Sequence, residues 1–364
     1  MSETTLTTPA PSLPLPRLHA WLAPHLPALA ALPPEALQAE RLPAGQSNPT
    51  WLLHAGDQRW VLRAKPGPAA KLLPSAHAIE REFRIQHALQ GSGVPVARMH
   101  ALCEDESVIG AAFYVMEHVQ GRILRDATLP DMAPAERAAL HAEALRVLAA
   151  LHQVDWRARD LADLGRSDGF FERTVARWTR QYRACETQHI EAMERLIDWL
   201  PRQLPPASGA ARDTVLVHGD FRLENLVFHP TEPRVLAVLD WELATLGHPM
   251  SDLAYHCMAW QLPPGVLRGI AGLDLAATGI PHEAELMRRY GALSGRDAAE
   301  MQAHWPFYLA CNCFRLAAIL QGIARRVQEG MASHPQAIET ARMAPVVAGI
   351  GWRVACATAV HTPN

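Results

Sequence analysis

Asp220 and Asn225 stand five residues apart in the run His218-Gly219-Asp220-Phe221-Arg222-Leu223-Glu224-Asn225, and Asp240 follows fifteen residues after Asn225. Two carboxylates and an amide carbonyl are hard oxygen donors of the kind that suits Mg2+, with phosphate oxygens filling the remaining positions. A carboxylate placed beside such a site can also take the proton of an attacking hydroxyl. The chemistry that these residue types share is therefore phosphoryl transfer. A metallohydrolase built from His218, Asp220, Asp240 and His248 is the competing use of the same residues. Sequences for other common chemistries (Walker A, HExxH and GxSxG) do not occur.

The elements that must position these residues follow from the apolar pattern. Thr214 to Asp220, Leu226 to His229 and Val235 to Asp240 read as buried strands, so that Asp220 and Asn225 share one loop and Asp240 ends a strand. His218, at a strand end, is expected to be a hydrogen-bonded core residue. Around this β-rich island the spacing predicts long helices: Pro134 to Gln153, Phe170 to Leu200, Glu283 to Leu293 and Trp305 to Glu329. The first third reads differently. Glu40 to Ala44, Thr50 to His54 and Arg59 to Ala64 form a strand meander, Val94 to Ala97 and Ala111 to Glu117 two further strands, and Ile79, Phe83, Gln86 and Leu89 recur at helical spacing. Glu82 falls on that apolar helix face, whereas Glu80 points away. Strand alternation puts Val61 and Arg63 on one face and Trp60 and Leu62 on the other, with Lys65 as the competing cation. The fold class expected is α+β, with residues 1–16 as a loose tail, 17–118 as a sheet-and-helix lobe and 119–364 as a mainly helical lobe.

Composition fits this reading. The chain has 364 residues, 49% hydrophobic and 20% charged, enough for two units with their own cores. Lys plus Arg number 34 against 37 for Asp plus Glu, a net charge of -3, which offers no electrostatic reason to expect nucleic acid or an anionic membrane as partner. The six cysteines lack a CxxC pair, so a reducing, cytoplasmic setting is expected in place of a disulfide framework or thiolate zinc site. Prolines 9, 11, 14 and 16 and Glu3 argue against a secretory signal. Met343 to Val360 is the most membrane-like stretch, but Arg353 and its small residues favour a packed helix.

The order His-Gly-Asp, four residues, Asn, then Asp240-Trp241-Glu242 resembles the aminoglycoside phosphotransferase and choline kinase family, which shares a two-lobed protein-kinase-like fold. The resemblance extends over Val61-Leu62-Arg63, Leu72 to His77, Glu80-Arg81-Glu82, Val94-Pro95-Val96, Phe113 to Glu117, Thr245 to Pro249 and Ser251 to Tyr255. More specifically, the chain is similar to the kinase domain found fused to acyl-CoA dehydrogenases. The resemblance implies a phosphotransferase with an alcohol group as acceptor and with ATP and Mg2+ as cofactors. Asp220 would be the catalytic base and Arg222 a second catalytic group, with Asn225 and Asp240 as the metal ligands. Gly45, Ser47 and Asn48 would belong to a nucleotide-covering loop, Val61, Arg63 and Glu82 to the phosphate-binding strand and its partner helix, and Glu117 to Val119 to the segment that meets adenine. Asp252 would brace the catalytic loop. Arg63 departs from the usual lysine, replacing a point charge with a fixed fork. The partner implied is a small-molecule hydroxyl substrate, a 4-hydroxyacyl-CoA thioester, with Glu242, Arg315, Arg325 and Arg326 as its contacts. Aminoglycoside, choline and homoserine-type kinases, or a pseudokinase that only holds nucleotide, stay open as alternatives.

Overall fold

The structure, a computed structural model, describes residues 13–42, 48–66, 79–166, 168–206, 213–330 and 337–357. The covering-loop residues Gly45 and Ser47 and the Leu72 to His77 run lie outside the described residues. The chain divides into two compact units, one running to Gln90 and including Val96–Gln120, the other comprising Gly91–Pro95 and the chain from Gly121 onward. The division falls two residues beyond the expected 118.

The first unit is a five-stranded antiparallel sheet, β1 (Gln38–Arg41), β2 (Thr50–Ala55), β3 (Gln58–Ala64), β4 (Met99–Cys103) and β5 (Phe113–Glu117), in the order β1-β2-β3-β5-β4. Its two longest described helices are α1 (Leu15–Leu22), which begins inside the expected tail, and α2 (Ile79–Leu89). Alternation along β3 separates two cores. Trp60 and Leu62 join Trp51, Leu53, Phe113 and Val115 against Leu18 and Leu22 of α1. Tyr114 on the opposite face of β5 packs with Ile79 of α2 and Met99. One expected strand is absent: Val94 and Ala97 are buried, but Pro95 has no N–H for a ladder, and its carbonyl instead accepts from Val238 N at 2.9 Å.

In the second unit the expected β-rich island is two small sheets. β7 (Val215–Val217) pairs with β10 (Thr245–Gly247), and β8 (Leu226–Phe228) lies between β6 (Arg122–Ile123) and β9 (Val235–Val238). The helices that enclose them are α3 (Pro134–His152), α4 (Phe170–Ala184), α5 (Glu191–Trp199), α6 (Met250–Cys257), α7 (Glu283–Ser294), α8 (Trp305–Gln328) and α9 (Ala344–Ala357). The single helix expected from Phe170 to Leu200 is broken at Cys185, because a straight helix of that length would run about 46 Å, whereas folding back lets both α4 and α5 pack on α8. By length and composition α8 is the described helix able to cross a membrane, yet 72% of its apolar window is buried inside the protein, as in a core helix. The small residues of α9 serve that packing: a Cβ on Gly351 would lie 2.7 Å from Cys313 Cβ of α8.

Three histidines of this unit are enclosed without charge. Burial pushes the imidazole of His141 down to about 3, and those of His248 and His256 down to about 4. An unfolded histidine titrates near 6.5, so between about pH 6.5 and 4 the unfolded chain binds protons that the folded chain does not. Stability should be complete above that window and fall with acidification through it, by about 1.4 kcal/mol per pH unit for each histidine. Urea midpoints measured from pH 7.5 to 4.5 should therefore drop below pH 6.5, and a flat profile would contradict the burial of these rings.

Candidate active site

The apolar strand β7 delivers His218, Gly219 and Asp220 to the loop that precedes β8. His218 is fully buried: Nε2 donates to Leu239 O at 2.8 Å, and Nδ1 accepts from Asp220 N at 3.2 Å. Both ring nitrogens are engaged in holding backbone, which removes His218 from the ligand set that a metallohydrolase would need. Gly219 has φ +82, and a Cβ there would come within 2.8 Å of Leu243 O, so this position of the loop requires glycine. Asp252 of α6, wholly buried, braces the same turn. Its Oδ2 accepts from His218 N at 2.6 Å and its Oδ1 from Gly219 N at 2.8 Å. His152 of α3 donates Nε2 to Asp252 Oδ2 at 3.3 Å and accepts on Nδ1 from the hydroxyl of Tyr290, at 2.6 Å. Burial raises the Asp252 carboxyl, but its interactions with His152 and His218 outweigh it and hold its pKa below the usual value.

Asp220 is thus fixed from behind while its carboxylate is held from the sides. Asn225 donates Nδ2 to both the carbonyl oxygen and Oδ2 of Asp220, each at 2.9 Å. Arg222 Nη2 lies 3.2 Å from the same Oδ2, and Arg222 Nη1 lies 3.1 Å from Glu224, which Arg268 also grips. Burial works against the Arg222 charge, yet Asp220, Tyr255, Glu224 and Asp240 together raise its pKa, so the guanidinium stays protonated. Tyr255, which the sequence reading did not single out, hydrogen-bonds Asp220, and its phenol is raised by burial and by that carboxylate.

Asn225 and Asp240 meet at one end of the β8–β9 pair. Leu226 opposes Val238, and Leu239 N donates to Asn225 O at 2.7 Å, which sets the next residue, Asp240, beside Asn225. Asp240 takes the left-handed backbone conformation (φ +64), one that Asp tolerates better than most residues. The buried Trp241 pins the turn, donating Nε1 to Val238 O at 2.9 Å and packing edge-on at 4.8 Å from His218. With its amide nitrogen turned to Asp220, Asn225 keeps Oδ1 as the end able to face a cation. That oxygen and the Asp240 carboxylate are a donor set that fits Mg2+.

In the first unit, Arg63 Nε lies 3.0 Å from Glu82 Oε2, with side chains only 12% and 2% exposed. Lys65 instead meets Glu80, at 37% and 30% exposure, which settles the choice between the two cations in favour of Arg63 as the inward one. Glu82 is shared further: Tyr114 donates its hydroxyl to Oε2 at 2.9 Å and Asn48 donates Nδ2 to Oε1 at 2.8 Å. Asn48, expected in the nucleotide-covering loop, therefore has a buried side chain turned to Glu82, because the carboxylate needs donors on both oxygens once it is enclosed. Val61 shares the Arg63 face of β3, opposite Met116. Glu117 is exposed at the end of β5, with Oε2 accepting from Arg98 N at 3.2 Å, and Val119 is half-buried two residues on.

The expected acceptor residues do not gather. Arg315 lies 5.4 Å from the ring of Tyr255 and 5.8 Å from that of Trp178, one residue removed from Asp220. Arg325 and Arg326 are exposed, about 15 Å farther along α8 at 1.5 Å per residue, and Arg325 pairs with Glu329 at 2.5 Å. Glu242 is half-buried in the turn after Asp240.

Known proteins resemble this chain in sequence and fold. The sequence pattern of the phosphotransferase enzyme family (APH) matches residues 38–304. Acyl-CoA dehydrogenase family member 10 of Mus musculus is 46% identical over 322 residues, covering 88% of this chain, which spans 29% of that protein's length. A crystal structure of a "putative aminoglycoside phosphotransferase" from Ralstonia eutropha is 51% identical, with a TM-score of 0.84 over 94% of this chain and 98% of that one. Choline kinase from Cryptosporidium parvum, 10% identical with a TM-score of 0.64 over 94% of this chain and 97% of that one, shares the protein-kinase-like fold. On its residues, its fold and these likenesses, the chain belongs to the phosphotransferase enzyme family.

Proposed function

We propose that the protein is a small-molecule kinase that uses ATP and Mg2+ and transfers the γ-phosphoryl group to a substrate hydroxyl. The observation that carries this reading is the fixing of Asp220: backbone held by Asp252 through its neighbours, carboxylate held by Asn225 and Arg222, with Asp240 beside Asn225. Asp220 accepts the proton of the attacking hydroxyl, which Asn225 and Arg222 orient it to do. Arg222 stays charged and offsets the negative charge that builds on the moving phosphoryl group. Asn225 Oδ1 and Asp240 would hold Mg2+, which when bound neutralises phosphate charge. Arg63, aimed by Glu82, is the cation for the phosphates of ATP.

For the acceptor we favour a 4-hydroxyacyl-CoA. The support is the likeness to acyl-CoA dehydrogenase family proteins, together with the position of Arg315 near Tyr255. Purified protein with labelled ATP and Mg2+ should be assayed in parallel against 4-hydroxyacyl-CoA, choline, homoserine and kanamycin. Transfer to the thioester is expected; transfer to a cationic acceptor with none to the thioester would refute this acceptor.

Arg63 and Glu82 should behave as one unit. Arg63→Ala and Glu82→Gln are each expected to lower kcat/KM for ATP by about ten- to hundredfold, since a hydrogen bond to a charged group is worth about 1.5–3 kcal/mol. The double variant should be no more than about twofold worse than the more damaged single one, because either change already removes the pair. Multiplicative losses in steady-state kinetics would show that the two side chains act separately.

A further inference from the structure

Arg315 of α8 lies between two aromatic rings of the second unit, its guanidinium 5.8 Å from the ring of Trp178 on α4 and 5.4 Å from that of Tyr255 on α6. The rings aim it. Among the described residues this guanidinium makes no hydrogen bond and no ion pair, and α8 carries no acidic residue from Trp305 to Gln328 that could meet it. Arg222 differs, since Asp220 and Glu224 answer its charge. Arg315 is only half-buried, and none of its nitrogens is among the enclosed, unpartnered atoms of the protein, so the charge stays open to a ligand.

A surface arginine can rest on an aromatic ring and do nothing more. Its place argues otherwise here. The same Tyr255 hydrogen-bonds Asp220, so a single phenol joins the open guanidinium to the carboxylate that takes the hydroxyl proton. A molecule that gives its hydroxyl to Asp220 needs only a few further atoms to reach Arg315. Charge and shape then name the group at its other end. A guanidinium donates in a fixed fork that suits carboxylate and carbonyl oxygens. It repels an ammonium, and it also occupies the two aromatic faces on which an ammonium would otherwise settle. Arg325 and Arg326 lie about 15 Å farther along α8, too far to share the same oxygen.

We propose that Arg315 is the specificity-determining residue of the acceptor site: it binds an acyl oxygen of the acceptor, carboxylate or thioester carbonyl, and turns away ammonium alcohols, with Trp178 as its positioning residue. The contact is with the acyl head of the acceptor and not with the phosphates of CoA. That the ligand is the phosphoryl acceptor rests on the kinase reading above; the binding of an acyl oxygen at Arg315 does not.

The test separates the two. The full chain is titrated by calorimetry with 4-hydroxybutyrate, with the pantetheine thioester of that acid, which lacks the phosphates of CoA, and with choline. The parent should bind at least one acyl ligand about ten- to hundredfold more tightly than choline, and Arg315→Ala should remove that margin, as expected for a hydrogen bond to a charged group. Dependence on Arg315 with the thioester assigns a thioester acceptor, and with the carboxylate alone a free hydroxy acid. Arg315→Lys, which keeps the charge and loses the fork, should recover part of the margin, and Trp178→Leu should cost about two- to tenfold through lost aim. In transfer assays the same losses should appear in KM for the acceptor, with kcat and KM for ATP changed by less than about twofold, a split that general damage to the fold would not give. Equal affinities for the acyl ligands in the parent and Arg315→Ala, or choline bound more tightly than both by the parent, would overturn the proposal. Binding of an acyl ligand that depends on Arg315, without ATP-dependent transfer to any alcohol, would instead overturn the kinase reading and the acceptor role, while the acyl-oxygen site stands.

Discussion

Asp220→Asn is expected to lower kcat for phosphoryl transfer by about 10²–10⁴-fold, the range that general-base catalysis supplies, while the dissociation constant for ATP changes by less than about twofold. The amide is nearly the same shape as the carboxylate and can still accept from Asn225 Nδ2, which now reaches Asp220 Oδ2 and O at 2.9 Å each. It cannot take the hydroxyl proton. It also withdraws one negative partner of Arg222, whose Nη2 lies 3.2 Å away, but Glu224 remains at 3.1 Å to hold that side chain. The brace is untouched, because Asp252 grips the backbone of His218 and Gly219 and not the Asp220 side chain. The loss should therefore appear in single-turnover transfer and not in calorimetric nucleotide binding or in the urea midpoint. Transfer within a few fold of the parent rate would remove Asp220 from the role of base, and a matching loss of ATP affinity would mean that its charge serves the nucleotide.

Much of this site is legible because local pattern carries it. Val-Leu-Val before His218 and Leu-Val-Phe after Asn225 can only be short buried strands, so the polar residues between them must form a loop on a rigid base. The phase of α2 is legible from Ile79, Gln86 and Leu89, and it places Glu82 inward as found; Ile85 shares that buried face. Period-two alternation likewise separates Arg63 from Leu62. What local pattern cannot carry is the partner drawn from far along the chain. His152 reaches Asp252 across 100 residues and Tyr290 reaches His152 across 138, and nothing in the spacing of an amphipathic helix marks either contact. Tyr114 reads simply as an apolar strand residue, although its hydroxyl donates to Glu82. The break between α4 and α5 is hidden for the same reason: no glycine or proline marks Cys185 to Ile190, and the turn exists because both helices pack on α8. Arg325 and Arg326 share a helix with Arg315 in the sequence, but helix rise alone carries them away from Asp220.

The second large effect is expected at Asp252, a residue that meets the reacting groups only through other residues. Its two carboxylate oxygens accept from His218 N at 2.6 Å, from Gly219 N at 2.8 Å and from His152 Nε2 at 3.3 Å, all within the buried interior. Asp252→Ala strands two backbone N–H groups and one imidazole N–H, each costing about 1–3 kcal/mol when buried and unpaired. Removing one member of a buried charged network costs about 3–5 kcal/mol overall, so the urea midpoint should fall sharply. Gly219 sharpens the consequence, since the residue at φ +82 is the one whose own N–H, with that of His218, Asp252 accepts. Freed from the brace, Asp220 loses its fixed distance to the acceptor hydroxyl, and kcat should fall by about 10²-fold in the fraction that remains folded, the scale expected for a misplacement of about 1 Å. Asp252→Asn distinguishes positioning from mere stability. Its remaining oxygen can keep one of the two backbone bonds while its amide nitrogen opposes the other, so it should recover most of the lost stability yet retain a measurable kcat defect with KM for ATP unchanged. A variant that regains the parental urea midpoint and the parental kcat together would show that the brace contributes to folding alone.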